Sequence, residues 1–342
     1  MQVKTIRIVS LSAGTLGEDF VRHELEIGLQ RLRAWGVQVQ FGAHALRGRD
    51  YIAAHPEARA ADLCDAFRDP AVDMILCAIG GDDTYRLLPY LFSHDELKNA
   101  VTNKIFLGFS DTTVNHLMLH KLGLPTFYGQ AFLSDVCEIA DTMLPYTERY
   151  FTELLRTGAI RQVTPSPVWY DGRTDFSPAA VGSAMPAHPN AGFELWQGPA
   201  RFEGKILGGC IDTLFDLFDN TRYADSVETC ARYGLFPTLE DWRGKILLLE
   251  SSEEQPAPEK YRRMVEALKQ AGVFSAVSGV LVGKPMDEKY AGDYRRILCE
   301  VVADPALPIL GNLNIGHATP RCILPLGISA AVDADAQVIR FL

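Results

Sequence analysis

Three polar residues, far apart in the chain, have the types that acyl transfer requires: a serine, a histidine and a glutamate, each where a strand-like run ends. Ser110 lies in KIFLGFSDTT (104–113), where a short apolar run stops at Gly108 and a helix is predicted to begin. Ile105, Phe106, Leu107 and Phe109 read as a buried strand, and Asp111, Thr112 and Thr113 as residues that satisfy free N–H groups of a first helical turn. A serine at that corner is expected to be exposed, beside unpaired backbone donors of the kind that hold an oxyanion. On this stretch alone a plainer reading also stands, in which Ser110 only caps the helix. The run is not the hydrolase elbow G-x-S-x-G, because Thr112 occupies the position of the second glycine.

A nucleophilic serine needs a base, and the base needs an orienting acid. Most of the eight histidines fall in predicted helices or polar connections, but His317 sits in NIGHATP (314–320), a loop fixed by Gly316 and Pro320 after a strand-like segment. Glu250 ends the apolar run ILLLE (246–250), where a carboxylate is partly shielded, whereas Glu253 and Glu254 read as a solvated acidic loop. Gly80-Gly81 lacks Cβ atoms and can bring a backbone N–H close to a ligand. It equally fits a tight strand-to-helix turn, and a loop histidine equally fits a structural role.

The elements that must position these residues alternate in type. Strands are predicted over 6–11, 37–41 and 72–79, with helices between them, and the third lacks alternation, as a strand buried on both faces does. This pattern predicts an open parallel α/β sheet whose functional edge is the carboxyl end of its strands. From 164 to 199, prolines, glycines and small residues dominate without a period, which reads as a linker or a loop closing over something. The tail is predicted to form a hairpin around Asp335.

At 342 residues, two domains are expected. A net charge of -10 without clustered Lys and Arg argues against nucleic acid or an anionic membrane as partner. No run reaches membrane-spanning length and the N-terminus lacks a signal-peptide core, so a cytoplasmic protein is expected. The seven scattered cysteines form no C-x-x-C pair and read as free thiols, and no His/Cys/Asp spacing suggests a metal.

Five stretches, AIGGDDTYRLLPYL (78–91), LGFSDTT (107–113), GKILGGCIDTL (204–214), ILLLESSEE (246–254) and NIGHATP (314–320), together resemble the LD-carboxypeptidase family of serine peptidases, family S66. The resemblance spans nearly the whole chain, with the motifs in order. It implies an α/β protein in which an N-terminal open parallel-sheet domain (1–163) carries the nucleophile. A linker and active-site loop (164–199) would lead to a C-terminal α/β domain rich in strands (200–342), which carries the acid and base. Residue by residue, it implies Ser110 as nucleophile, Glu250 as acid, His317 as base, and the N–H groups of Gly81 and Asp111 as the oxyanion hole.

Neither a cofactor nor a metal is implied, and a homodimer is expected. Substrates implied by the resemblance are a murein L,D-peptide or, in the microcin C immunity branch that this chain is more similar to, an aminoacyl nucleotide. In that branch a loop aromatic stacks on the base, and the nearest matches here are Phe193 and Trp196. Two rivals remain at this stage: a kinase using GGDDT as a phosphate loop, and a non-catalytic small-molecule binder.

Overall fold

The computed structural model describes residues 2–342. Its first half contributes β1 (Thr5–Val9), β2 (Gln38–Phe41), β3 (Met74–Cys77), β4 (Ile105–Gly108) and β5 (Thr126–Tyr128), with helices between. There follow β6 (Gln162–Val163), β7 (Val168–Tyr170), β8 (Ala187–Pro189), β9 (Glu194–Gln197), β10 (Arg201–Cys210), β11 (Ile246–Glu250), β12 (Gly279–Gly283) and β13 (Ile309–Leu313). The chain closes with β14 (Leu324–Leu326), β15 (Ser329–Asp333) and β16 (Val338–Phe341). The last two form the antiparallel hairpin expected around Asp335.

The first sheet has the order β14-β5-β4-β3-β1-β2, with β1 to β5 parallel and β14 antiparallel at the edge. Its strand order reverses at β1 and β3, the kind of switch point at which α/β sheets open a crevice beyond their carboxyl ends. Every residue of β3 and β4 is buried, as their unbroken apolar sequences MILC and IFLG require.

The second sheet has the order β6-β16-β15-β10-β11-β12-β13-β9, with a parallel centre from β10 to β13. β10 serves two neighbours in turn. Its first half alternates exposed and half-buried residues and pairs antiparallel with β15; its second half is wholly buried and runs parallel to β11.

The 164–199 segment is not structureless: it contains the β7–β8 hairpin and β9, which edges onto β13. These strands are three or four residues long and mostly half-exposed, so neither length nor alternation marks them in the sequence. The two halves also interleave. β14 returns to the first sheet, while β6 joins the second through β16.

The carboxyl ends of the two parallel sets meet. At Gly209 in β10 a Cβ would lie 2.5 Å from Thr113 Oγ1 and 2.9 Å from the Tyr128 ring, so only glycine lets the sheets approach this closely. Among the described residues, no helix is long and apolar enough to cross a membrane. All seven cysteines are free and six are buried.

Candidate active site

Ser110 follows β4 at the sheet edge and adopts a left-handed backbone conformation, φ 64°. That conformation is unfavourable for a residue with a Cβ and persists only where surroundings hold it. Here Ser110 N–H donates to Tyr128 Oη at 3.2 Å, and Thr113 Oγ1 donates to Ser110 O at 2.7 Å. The clearance that an elbow usually takes from a glycine two residues on comes instead from the loop after β3. A Cβ on Gly80 would lie 2.7 Å from Ser110 Cβ and 2.8 Å from its Oγ. The absence of G-x-S-x-G therefore does not exclude an elbow.

Two expectations for this corner need correction. Ser110 is buried rather than exposed, at 8% of its accessible surface, because the second sheet covers it. Nor do Asp111, Thr112 and Thr113 cap the helix by side-chain contacts. The two threonine hydroxyls donate backward, to Phe109 O and Ser110 O.

Asp111 turns its carboxylate toward the loops after β1 and β3, where Oδ2 accepts from Ser12 Oγ at 2.5 Å, Thr84 Oγ1 at 2.5 Å and Thr84 N–H at 3.0 Å. Burial pushes its pKa up, and these hydrogen bonds oppose the rise. One side chain thus ties together the loops after β1, β3 and β4. The N–H groups of Gly81 and Asp111 make no hydrogen bond among the described residues and remain available as donors. Asp83 forms a buried ion pair with Arg59, so the GGDDT loop is fixed to its own domain beside Ser110.

His317 arrives from the second sheet. Its Nε2 lies 3.0 Å from Ser110 Oγ, and its Nδ1 lies 2.7 Å from Glu250 Oε2. Glu250 also accepts from His317 N–H at 3.2 Å and, on Oε1, from Tyr128 Oη at 2.6 Å. With its side chain fully buried, that carboxylate is satisfied on both oxygens, which a buried charge requires. Gly316 makes this possible. It has φ 82°, and a Cβ there would lie 2.3 Å from Glu250 Oε2. Arg321, in a buried ion pair with Asp135, donates to His317 O and holds the loop from below.

Four contributors were missed or misread in the sequence. Tyr128 ends β5 on the same sheet edge as Ser110, a position that could have marked it. Burial, followed by the charge of Glu250, raises its pKa well above 10, so it stays a neutral donor. Arg321 lies one residue beyond the NIGHATP motif. Cys210, whose thiol is held protonated mainly by burial, has its sulfur close to Glu250 and His317. Glu253, expected to be solvated, places Oε2 2.9 Å from His317 Nε2 although its side chain is 64% exposed. Burial works against charge on His317, but Glu250 and then Glu253 outweigh it and raise its pKa to about 10. Hydrogen bonding to His317 holds Glu253 down at about 2.

The donor atoms of Cys210, Glu250 and His317 lie within 4.8 Å of one another, which is metal-ligand spacing. Both Glu250 oxygens and His317 Nδ1 are already engaged with one another and with Tyr128.

The expected loop aromatics do not reach this site. Phe193 is buried in the core, 5% exposed, with its N–H on Gln337, and offers no ring face to a ligand. Trp196 packs across Gly311 of β13, where a Cβ would lie 2.1 Å from its ring. The loop aromatic near His317 is Trp169. It stacks on His188 at 4.3 Å, has Lys284 Nζ 5.2 Å from its ring centroid, and precedes Tyr170, whose N–H donates to Thr319 O at 2.8 Å.

Two abutting α/β sheets with a serine, an imidazole and a carboxylate in hydrogen-bonded series at their junction have the architecture of a serine hydrolase. Residues 6–129 match the LD-carboxypeptidase N-terminal domain and residues 203–332 the LD-carboxypeptidase C-terminal domain. The chain belongs to this family, Peptidase_S66, and is a hydrolase.

It is 34% identical over 317 residues to the murein tetrapeptide carboxypeptidase of Pseudomonas aeruginosa, covering 91% of this chain and 89% of that one. To the microcin C7 self-immunity protein MccF of Escherichia coli it is 27% identical over 287 residues, 82% of this chain and 77% of the relative. Among solved structures it is similar to an MccF-like protein from Streptococcus pneumoniae in complex with AMP. The identity is 59%, with a TM-score of 0.99, covering 100% of this chain and 99% of that one.

Proposed function

We propose that the chain cleaves an amide bond through an acyl-enzyme, with Ser110 as nucleophile, His317 as general base and then acid, and Glu250 as the orienting acid. The observation that carries this reading is the series Ser110 Oγ, His317 Nε2, His317 Nδ1, Glu250 Oε2, with both links at hydrogen-bond distance. Ser110 Oγ attacks the carbonyl carbon as its proton moves to Nε2, and Glu250 stabilises the imidazolium. The N–H groups of Gly81 and Asp111 receive the developing oxyanion. Nε2 then gives its proton to the departing nitrogen, and a water deacylates the serine by the same path.

For the substrate we favour an aminoacyl nucleotide of the microcin C type. AMP in the 59% identical structure and the half-exposed Trp169 beside the His317 loop both support this choice. In this reading Trp169, rather than Phe193 or Trp196, is the platform for the base. A murein L,D-peptide is the second reading, supported by the 34% identical murein tetrapeptide carboxypeptidase. The test is a hydrolysis screen of purified protein against aminoacyl sulfamoyl adenosines, processed microcin and murein tetrapeptide. Release of the amino acid without ATP or metal is expected for the nucleotide series. Cleavage of the tetrapeptide alone would transfer the assignment to the second reading.

A further inference from the structure

Glu253 is the unexplained group at the site. It stands on the loop after β11, and this loop is itself anchored. Ser252 N–H donates to the buried Asp212 at 3.0 Å, and Glu254 pairs with Arg222 and Lys260. Glu253 alone of that acidic run turns inward. Its Oε2 and Ser110 Oγ are rival partners for one nitrogen, His317 Nε2, at 2.9 and 3.0 Å.

An N–H shared in this way cannot serve both well, and the carboxylate is the stronger acceptor. His317 must nevertheless lose its Nε2 proton before it can accept one from Ser110. The other groups facing the ring do not relieve this. Glu250 on β11 is a second anion, the Cys210 thiol is protonated, and Arg321 contributes only a bond to the main-chain oxygen. Something that neutralises or displaces Glu253 is needed for turnover, and the substrate is the group that enters.

Resting on the aminoacyl reading above, we propose that Glu253 sets acyl-group specificity: it binds the free α-ammonium of the aminoacyl half and thereby vacates His317 Nε2 for Ser110. The geometry suits it. In an attack-ready complex the carbonyl carbon sits about 3 Å from the serine oxygen, and the α-nitrogen is two bonds from that carbon, so it enters beside Ser110 Oγ, where Glu253 Oε2 already shares His317 Nε2. An exposed side chain can swing to meet it without disturbing the core. The same pairing makes an N-acylated substrate poor on two counts, since it lacks the cation and leaves the base capped.

The test compares alanyl sulfamoyl adenosine with its N-acetyl counterpart, which has the same leaving group and differs only in the ammonium. Wild-type protein is expected to favour the free amine in kcat/KM by tenfold or more, on the order of one charge-assisted contact. Glu253→Gln is expected to shrink that ratio at least several-fold, and Glu253→Lys to abolish it. An unchanged ratio in both variants overturns the proposal. If wild type cleaves neither compound, the aminoacyl-nucleotide reading is what fails. The specificity claim is then decided by calorimetric binding of the two compounds to Ser110→Ala and to Ser110→Ala/Glu253→Gln. Equal discrimination by those two proteins overturns it. The variants lie on an exposed side chain, and an unaltered melting curve verifies that folding is not the cause.

Discussion

Tyr128 Oη and Glu250 Oε1 are joined by a 2.6 Å hydrogen bond, and through it the last parallel strand of the first sheet orients an acid that belongs to the second. The same hydroxyl accepts from the Ser110 N–H. Tyr128→Phe removes both contacts while keeping the buried ring. A hydrogen bond to a charged group is worth about 1.5–3 kcal/mol, so a loss in kcat of roughly ten- to a hundredfold is expected, with KM little changed. Steady-state kinetics on any cleaved substrate check this, and an unaffected kcat would reduce Tyr128 to packing.

Ser110→Ala is expected to leave a folded protein with turnover reduced by about 10⁴-fold or more. Retention of more than about a tenth of wild-type activity would remove Ser110 from the nucleophile's role.

Gly316→Ala is expected to be nearly as damaging although residue 316 has no side chain to contribute. The added Cβ would overlap Glu250 Oε2, and the alanine would have to adopt φ 82°. The Glu250–His317 contact is the one displaced, so the variant should lose activity by a hundredfold or more, on the order of a triad defect. A crystal structure of the variant with that contact intact would contradict the argument.

Activity should rise with pH. His317 works as a base only when neutral, and its pKa is raised from 6.5 to about 10. The acidic limb of kcat/KM is therefore expected above pH 6.5, and it should move down in Glu253→Gln. Stability follows the opposite course. A histidine whose pKa is raised on folding contributes fully below its unfolded value and loses that contribution as pH climbs through the folded one. The melting temperature of Ser110→Ala is expected to decline from about pH 6.5 toward 10, and less steeply when Glu253 is also replaced. A flat activity profile from pH 5 to about 8 would leave the base unassigned.

Trp169→Ala is expected to raise KM for an aminoacyl sulfamoyl adenosine by about ten- to a hundredfold, the range for one stacked base. Murein tetrapeptide cleavage should change far less. Phe193→Ala, by contrast, should lower the melting temperature, because its ring is core.

What could be read in the sequence was what depends on short stretches. The buried runs MILC and ILLLE are visible as strands, and Ser110, Glu250 and His317 stand out because each ends or follows one. Contacts between strands were not visible. Gly80 clears room for Ser110 from the loop after a different strand, Tyr128 reaches Glu250 across 122 positions, and of the short strands of the 164–199 segment β7 and β8 exist only through each other and β9 only through β13. Phe193 and Trp196 stand beside Trp169 in composition alone, and what separates them is the burial of Phe193 and the packing of Trp196 on Gly311.

The interleaving of the two sheets also bears on how this chain is made. Ser110 emerges from the ribosome two hundred positions ahead of its partner, and at that stage its sheet still lacks β14. A nascent chain shorter than about residue 317 carries a serine with no imidazole to accept its proton. In the proposed mechanism the serine corner is therefore silent throughout most of synthesis and is completed only when the segment carrying His317 and β14 joins the first sheet.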